Sequence, residues 1–213
     1  MTKSILNQII SCAKTHRGEQ RREALLKAAR LIFLEKGFAG TSLDDVIKIT
    51  GGSKASVYKY FGNKDGLFAA MFAERCQVFL AHLDIPQGLS DNLEHTLTQF
   101  AQRVLESAID VERIALIRAL ATEADRFPQL AEMAYNTGPK YVLDLLASLI
   151  KRHHDAGLLV CPRPDIAAMQ FMETIKAHAQ WRTLLGLPAF ANAINADDYI
   201  HIAVTNFLRA YQP

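Results

Sequence analysis

The sequence predicts an all-α protein of about nine or ten helices, with a small three-helix N-terminal head joined to a larger helical bundle. Three observations carry this. Apolar residues recur at spacings of three and four along most of the 213 residues, the period of a helix buried on one face. No stretch alternates apolar and polar residues between hairpin turns, as a half-buried strand does. Glycines, prolines and capping residues fall between the stripes, where helices stop and start. Hydrophobic residues make up 50% of the chain and charged ones 22%, which excludes a disordered or low-complexity polypeptide. No apolar run approaches the ~18 residues of a membrane helix. The first 22 residues, interrupted by Asn7, Gln8 and Ser11, make a poor signal peptide. A cytoplasmic protein with no membrane partner is expected.

The first helix is expected over residues 18–36, with Leu25, Ala28, Ala29, Ile32 and Phe33 as its buried stripe. Gly37 follows in the place of a left-handed cap. Thr41-Ser42-Leu43-Asp44 has capping-box spacing and starts a short helix with the stripe Leu43, Val46 and Ile47. It stops at Thr50-Gly51-Gly52. Ser53 caps a third helix over residues 54–61. Asn63 caps a fourth over 64–83, with Leu67, Phe68, Met71, Phe72 and Cys76 inward. In the body, Ser90 or Asp91 caps a helix to residue 107, and another covers 110–125. Pro128 opens a short helix to 136. Gly138-Pro139 opens a long one to 156, and Asp165 caps the next, to 185. The last covers 196–211. The expected domains are an extension (1–17), a head (18–64) and a body (65–213), joined through the fourth helix without a flexible linker.

Charge is distributed unevenly. Residues 1–64 carry 12 Lys+Arg against 5 Asp+Glu, and residues 65–213 carry 12 against 17, within a net charge of +2. A small basic head on a larger acidic body is an electrostatic footprint of nucleic-acid binding, although a chance imbalance on a solvated surface has the same signature. Residues 41–64 are more informative. Two short helices separated by a glycine-containing turn form a helix-turn-helix. Val57 and Phe61, four apart, face inward on the second helix. The remaining faces present Lys54, Ser56, Tyr58, Lys59 and Tyr60. Ammonium and hydroxyl groups dock on phosphate, and a few side chains reach base edges in the major groove. Free N–H groups at a helix start also favour a phosphate.

These residues resemble a known family. Gly37-Phe38, Thr41, Val46-Ile47, Gly51, Ser53-Lys54, Val57-Tyr58, Tyr60-Phe61, Lys64 and Leu67-Phe68 are similar to the TetR/AcrR family of bacterial transcriptional regulators, over about residues 21–72. The resemblance implies a homodimer whose heads bind a near-palindromic operator and whose bodies bind a small inducer. It also implies DNA contacts at Thr41, which would hold a phosphate, and at Ser42, Ser53, Lys54, Ala55, Ser56, Tyr58, Lys59, Tyr60 and Lys64. Lys64 would clamp the backbone from the fourth helix. Gly52 departs from the pattern, where the family usually has an aliphatic residue packing the two helices together. That departure removes a contact and loosens the turn. Asp125-Arg126-Phe127-Pro128-Gln129-Leu130, followed by Gly138-Pro139, resembles the C-terminal domain of AefR-like regulators.

In the body, a mostly apolar effector cavity between helices would use Phe100, Ile117, Arg118, Met133, Phe171, Met172, Ile175, His178 and Trp181, with Arg118 and Glu173 either anchoring a polar group of an inducer or forming a structural ion pair. A Met or an aromatic at helical spacing is equally a core residue, and Arg118 and Glu173 need partners if buried. Val142, Leu145, Leu146, Leu149, His153 and Met169, on helices 139–156 and 165–185, are the expected dimer interface, forming an intersubunit four-helix bundle. His153-His154-Asp155 with Cys161 suggests a metal, but adjacent histidines on a helix point about 100° apart and do not chelate as i,i+4 pairs do. No metal or cofactor is expected. Cys12, Cys76 and Cys161 are too scattered for a disulfide framework and are expected as reduced thiols. No glutamate has a histidine three residues later, and there is no Gly-rich phosphate loop, HExxH or GxSxG. An enzyme is therefore the poorest reading. An architectural DNA-binding protein without an effector remains the alternative.

Overall fold

A computed structural model describes residues 16–81, 83, 85–191 and 194–213. The expected extension before residue 16 and the thiols of Cys12 and Cys76 lie outside the described residues. The described residues form ten helices and no strand: α1 (His16–Gly40), α2 (Leu43–Thr50), α3 (Lys54–Phe61), α4 (Lys64–Ala81), α5 (Leu93–Ile109), α6 (Val111–Glu123), α7 (Pro128–Thr137), α8 (Pro139–Asp155), α9 (Pro164–Leu184) and α10 (Ala196–Tyr211). None of them is long and apolar enough to cross a membrane. The chain divides into two compact units. One holds residues up to 76 together with 115–137, and the other holds 77–114 with 138–213.

The first unit is built around α1. Its buried stripe meets Val46 of α2, Val57 and Phe61 of α3, and Leu67, Phe68 and Met71 of α4. Leu116 and Leu130, from the second segment, belong to the same core. Four aromatic rings knit it together. Phe33 and Phe38 stack at 5.8 Å, Phe68 meets Phe38 edge-on at 5.2 Å, and Phe127 meets Phe38 edge-on at 4.9 Å. The helix proper of α1 ends at Gly37, whose φ of 69° and ψ of 177° are non-helical.

The second unit packs α5, α8, α9 and α10 around Leu97, Phe100, Leu146, Leu149, Phe171, Ile175 and Phe207. The Phe171 ring lies 4.7 Å from Phe207 and 6.5 Å from Phe100. The wide apolar arc of α8 is absorbed by this core. Val142, Leu146, Leu149 and His153 are buried inside the chain's own unit, so they do not face a second subunit as expected from the sequence. His153 is 1% exposed. Its Nε2 accepts from the Ser90 N–H at 3.2 Å and its Nδ1 lies 2.9 Å from the Leu149 carbonyl. That pairing suits a neutral ring with its proton on Nδ1.

Three caps differ from expectation. The capping box of α2 is Ser42 with Asp45, not Thr41 with Asp44. The Asp45 N–H donates to Ser42 Oγ at 3.2 Å and the Ser42 N–H to the Asp45 carboxylate at 2.9 Å. Asn92, rather than Ser90 or Asp91, caps α5 by accepting from the His95 N–H at 2.9 Å. Ser90 is occupied elsewhere, its hydroxyl 2.6 Å from Thr96 Oγ1. Helix α9 opens on Pro164, and Asp165 sits in its first turn bonded to Arg163. Asn63 caps α4 as the sequence suggests, accepting from the Gly66 N–H at 2.7 Å.

Candidate nucleic-acid interface

Helices α2 and α3 are joined by Gly51-Gly52-Ser53. Val57 and Phe61 anchor α3 in the core. The i,i+4 spacing that buries this pair leaves Lys54, Ala55, Tyr58 and Lys59 exposed, with Ser56 and Tyr60 half-buried beside them. Tyr58 is 54% exposed. Lys59 Nζ lies 5.6 Å from the Tyr60 ring centre. Lys54 Nζ pairs with the Asp44 carboxylate at 2.8 Å. That carboxylate, as hydrogen-bond and charge partner, raises the Lys54 pKa. An exposed pair of this kind contributes little. Ser53 occupies the N-cap position without a side-chain cap bond, and its hydroxyl stays exposed at the free N–H end of α3.

Other expected contacts are differently placed. Thr41 is 3% exposed. Its hydroxyl donates to the Gly37 carbonyl at 2.7 Å, which fastens the end of α1 to the start of α2. The Thr41 hydroxyl, expected to meet a phosphate, is here turned inward and engaged with the main chain. Ser42 is exposed, but its hydroxyl is engaged with Asp45. Lys64 stands with Nζ 4.4 Å above the Phe38 ring centre and 3.5 Å from the Ala39 carbonyl. Burial lowers its pKa, and the carboxylates of Asp65 and Glu123 oppose that shift.

Three residues outside the expected set shape this region. Arg21 on α1 donates from Nη1 to the Thr50 carbonyl at 2.8 Å and from Nη2 to the Gly51 carbonyl. It also lines a groove of about 530 Å³ with Arg17, Gly18, Gln20, Ala24, Ser56 and Tyr60. Gly66 lies so close to α3 that a Cβ there would overlap the Phe61 carbonyl oxygen. Phe127, which reads in sequence as punctuation before Pro128, packs on Phe38. The available signals were an arginine off the apolar stripe, a glycine inside a helical pattern, and an aromatic at a helix boundary. None of them names a partner.

The expected effector residues fall into three groups. Phe100, Phe171, Met172 and Ile175 lie together, buried, in the core of the second unit. Ile117, Arg118 and Met133 belong to the first unit, with Arg118 exposed. His178 is exposed, and Trp181 is 65% exposed. Glu173, also exposed, pairs with Lys176 at 2.6 Å. A groove of about 480 Å³ in the second unit is lined by Ser90, Asp91, Leu93, Glu94, His153, Leu158, Leu159, Thr205, Leu208 and Arg209, and includes none of the expected effector residues. Of the expected dimer residues, Leu145 is half-buried and Met169 is exposed on α9. Exposed with Met169 are Trp181 and Leu185 at the end of α9, Leu187 just beyond it, and Ile202 on α10. The two helices are neighbours, and the Tyr199 hydroxyl donates to the Thr174 carbonyl.

Two families match successive parts of the chain. Residues 25–71 match the family described as bacterial regulatory proteins, tetR family, and residues 95–213 match the C-terminal domain of AefR-like transcriptional repressors. The HTH-type transcriptional repressor Rv3405c of Mycobacterium tuberculosis is 27% identical over 135 residues, covering 63% of this chain and 68% of that protein. The repressor ComR of Escherichia coli is 36% identical over 92 residues, covering 38% and 44%. Among solved structures, the flavonoid-responsive regulator FrrA superposes with a TM-score of 0.81 at 32% identity, covering 92% of this chain and 98% of that one. A TetR-family protein from Mesorhizobium loti shares the fold, with a TM-score of 0.75 at 24% identity over 93% and 100% of the two chains.

Proposed function

The chain belongs to the tetR family of bacterial transcriptional regulators, with an AefR-like C-terminal domain, and from that premise we propose a homodimeric, effector-responsive repressor of a near-palindromic operator. The observation that carries the reading is α3, an eight-residue helix anchored by two buried apolar side chains and presenting Lys54, Tyr58 and Lys59 outward. Residues 18–64 carry recognition in this reading, and the remainder carries effector binding and self-association. Lys54 and Lys59 meet phosphates, while Ser56 and the two tyrosines approach base edges and sugar. Ser42, Ser53, Ala55 and Lys64 flank them.

A second copy of this chain is the occupant we assign to the exposed apolar side chains of α9 and α10. Trp181 and Leu185, 65% and 71% exposed, are the kind of large apolar groups that carry association energy when buried. Two heads related by a two-fold axis then reach successive major grooves about 34–36 Å apart. An effector that binds the body preferentially in a state with the heads wrongly spaced lowers operator affinity through that differential binding alone. FrrA, similar over nearly the whole chain, is named as flavonoid-responsive, so flavonoids are the first effectors to try. A cytoplasmic location belongs to the same reading.

Selection from a random-sequence duplex library at near-physiological salt tests it. A single enriched palindrome is the expected result, with its retention reduced by an effector. Retention without a motif would favour the architectural alternative, and no retention would refute DNA binding.

A further inference from the structure

We propose that Arg21 is a positioning residue for the recognition helix. Its guanidinium clasps the α2–α3 turn from α1 and stands where the family pattern has an aliphatic side chain at residue 52. This rests on the reading of α3 as the DNA-recognition element and extends it to a residue outside the helix-turn-helix.

The turn itself needs such a clasp. Gly51 and Gly52 have φ of 67° and 90°, a region that side-chain-bearing residues rarely adopt. Two such glycines in succession give the turn no side chain of its own to pack between α2 and α3. The last carbonyls of α2 also lack intrahelical partners. Arg21 answers both deficits. Its fork reaches the Thr50 and Gly51 carbonyls together. The place a Cβ of residue 52 would take is filled by the guanidinium, with which that atom would overlap. A cation here also complements the negative end of α2.

The clasp is anchored. Leu25 and Ala28, four and seven residues further along α1, lie in the core with Val46 and Val57. The side chain therefore ties the turn to the helix on which α2 and α3 both pack. Lysine does not replace it, because one ammonium lacks the planar two-donor geometry. With Nη1 and Nη2 each donating to a main-chain carbonyl, Arg21 holds the turn rather than a phosphate, although Ser56 and Tyr60 of α3 line the same groove.

The distinction is measurable. Arg21→Met and Arg21→Lys are titrated with the duplex that the unaltered protein selects, over a range of salt. A positioning role predicts binding weakened about ten-fold or more in both variants, with the salt slope unchanged. A slope lower by about 0.9 in Arg21→Met would make Arg21 a phosphate ligand and overturn the proposal, as would unaltered affinity in both. Amide exchange supplies a readout free of DNA, useful if a variant folds poorly or if no duplex is selected. The Gly51 N–H donates to the Ile47 carbonyl at 2.7 Å. In Arg21→Lys it is expected to exchange at least ten-fold faster than in the unaltered protein, relative to amides of α1. Equal exchange would refute the clasp. Failure of the unaltered protein to select any duplex, with faster exchange in Arg21→Lys, would refute the DNA reading and leave the clasp standing.

Discussion

Asp45 shows how one carboxylate joins local structure to pH. The Ser42 hydroxyl and N–H, and then the Lys36 ammonium, hold its pKa well below the ordinary carboxylate value. A depressed folded pKa means that the unfolded chain takes up this proton first as pH falls. The associated stability is full above the ordinary carboxylate range and is lost progressively as pH falls below it, toward the depressed folded pKa. Asp45→Asn should therefore flatten the acid limb of the thermal-stability profile, and an unchanged limb in that variant would show that other carboxylates govern it. Ser42→Ala removes the other half of the box and should cost about 1 kcal/mol in urea denaturation. The box was legible in the sequence as a pattern but one residue out of register. Thr41 and Ser42 both have an oxygen and an acid three residues on, and only the burial of Thr41 decides between them.

At the scale of elements, α3 and α10 have the boundaries that the sequence predicts, because caps and apolar spacing agree at both ends. The split of α3 into buried and exposed positions was equally legible from Val57 and Phe61. What sequence could not supply were contacts between segments far apart in the chain. Arg21 reaches carbonyls 29 and 30 residues away, and a backbone acceptor leaves no mark in a side-chain pattern. Phe127 lies 89 residues from Phe38, yet the ring centres are 4.9 Å apart. Phe127→Ala should destabilise the first unit by about 2–3 kcal/mol, somewhat below the range for a fully buried phenylalanine. Denaturation followed by a probe in that unit measures this, and a loss under about 0.5 kcal/mol would mean that the α6–α7 turn is not fastened through this ring. Of the outward apolar residues of α9 and α10, the sequence singled out Met169 for the contact between copies and Trp181 for the effector cavity, and left the others unassigned. The stripe on α8 was the more conspicuous in sequence, and the chain buries it in its own core.

For the molecule as a whole, self-association and DNA binding are linked. Trp181→Glu places a charge in the proposed contact between copies. It should shift the protein toward monomer in sedimentation equilibrium and lower operator affinity more than ten-fold, with the helical content intact. A variant that stays dimeric would move the interface away from α9 and α10. The sequence indicated a head and a body, but not how the chain is shared between compact units. The unit that contains α1–α3 also takes residues 115–137, with Leu116 and Leu130 in its core. Proteins emerge from the ribosome N-terminus first, at about 5–20 residues per second. Between residue 76 and residue 137, that rate imposes a delay of about 3–12 s. Throughout it the nascent recognition unit exposes the face of Phe38 that Phe127 will cover. The recognition unit of this regulator is therefore begun well before it can be closed, and a gene fragment ending after α4 encodes an unclosed core.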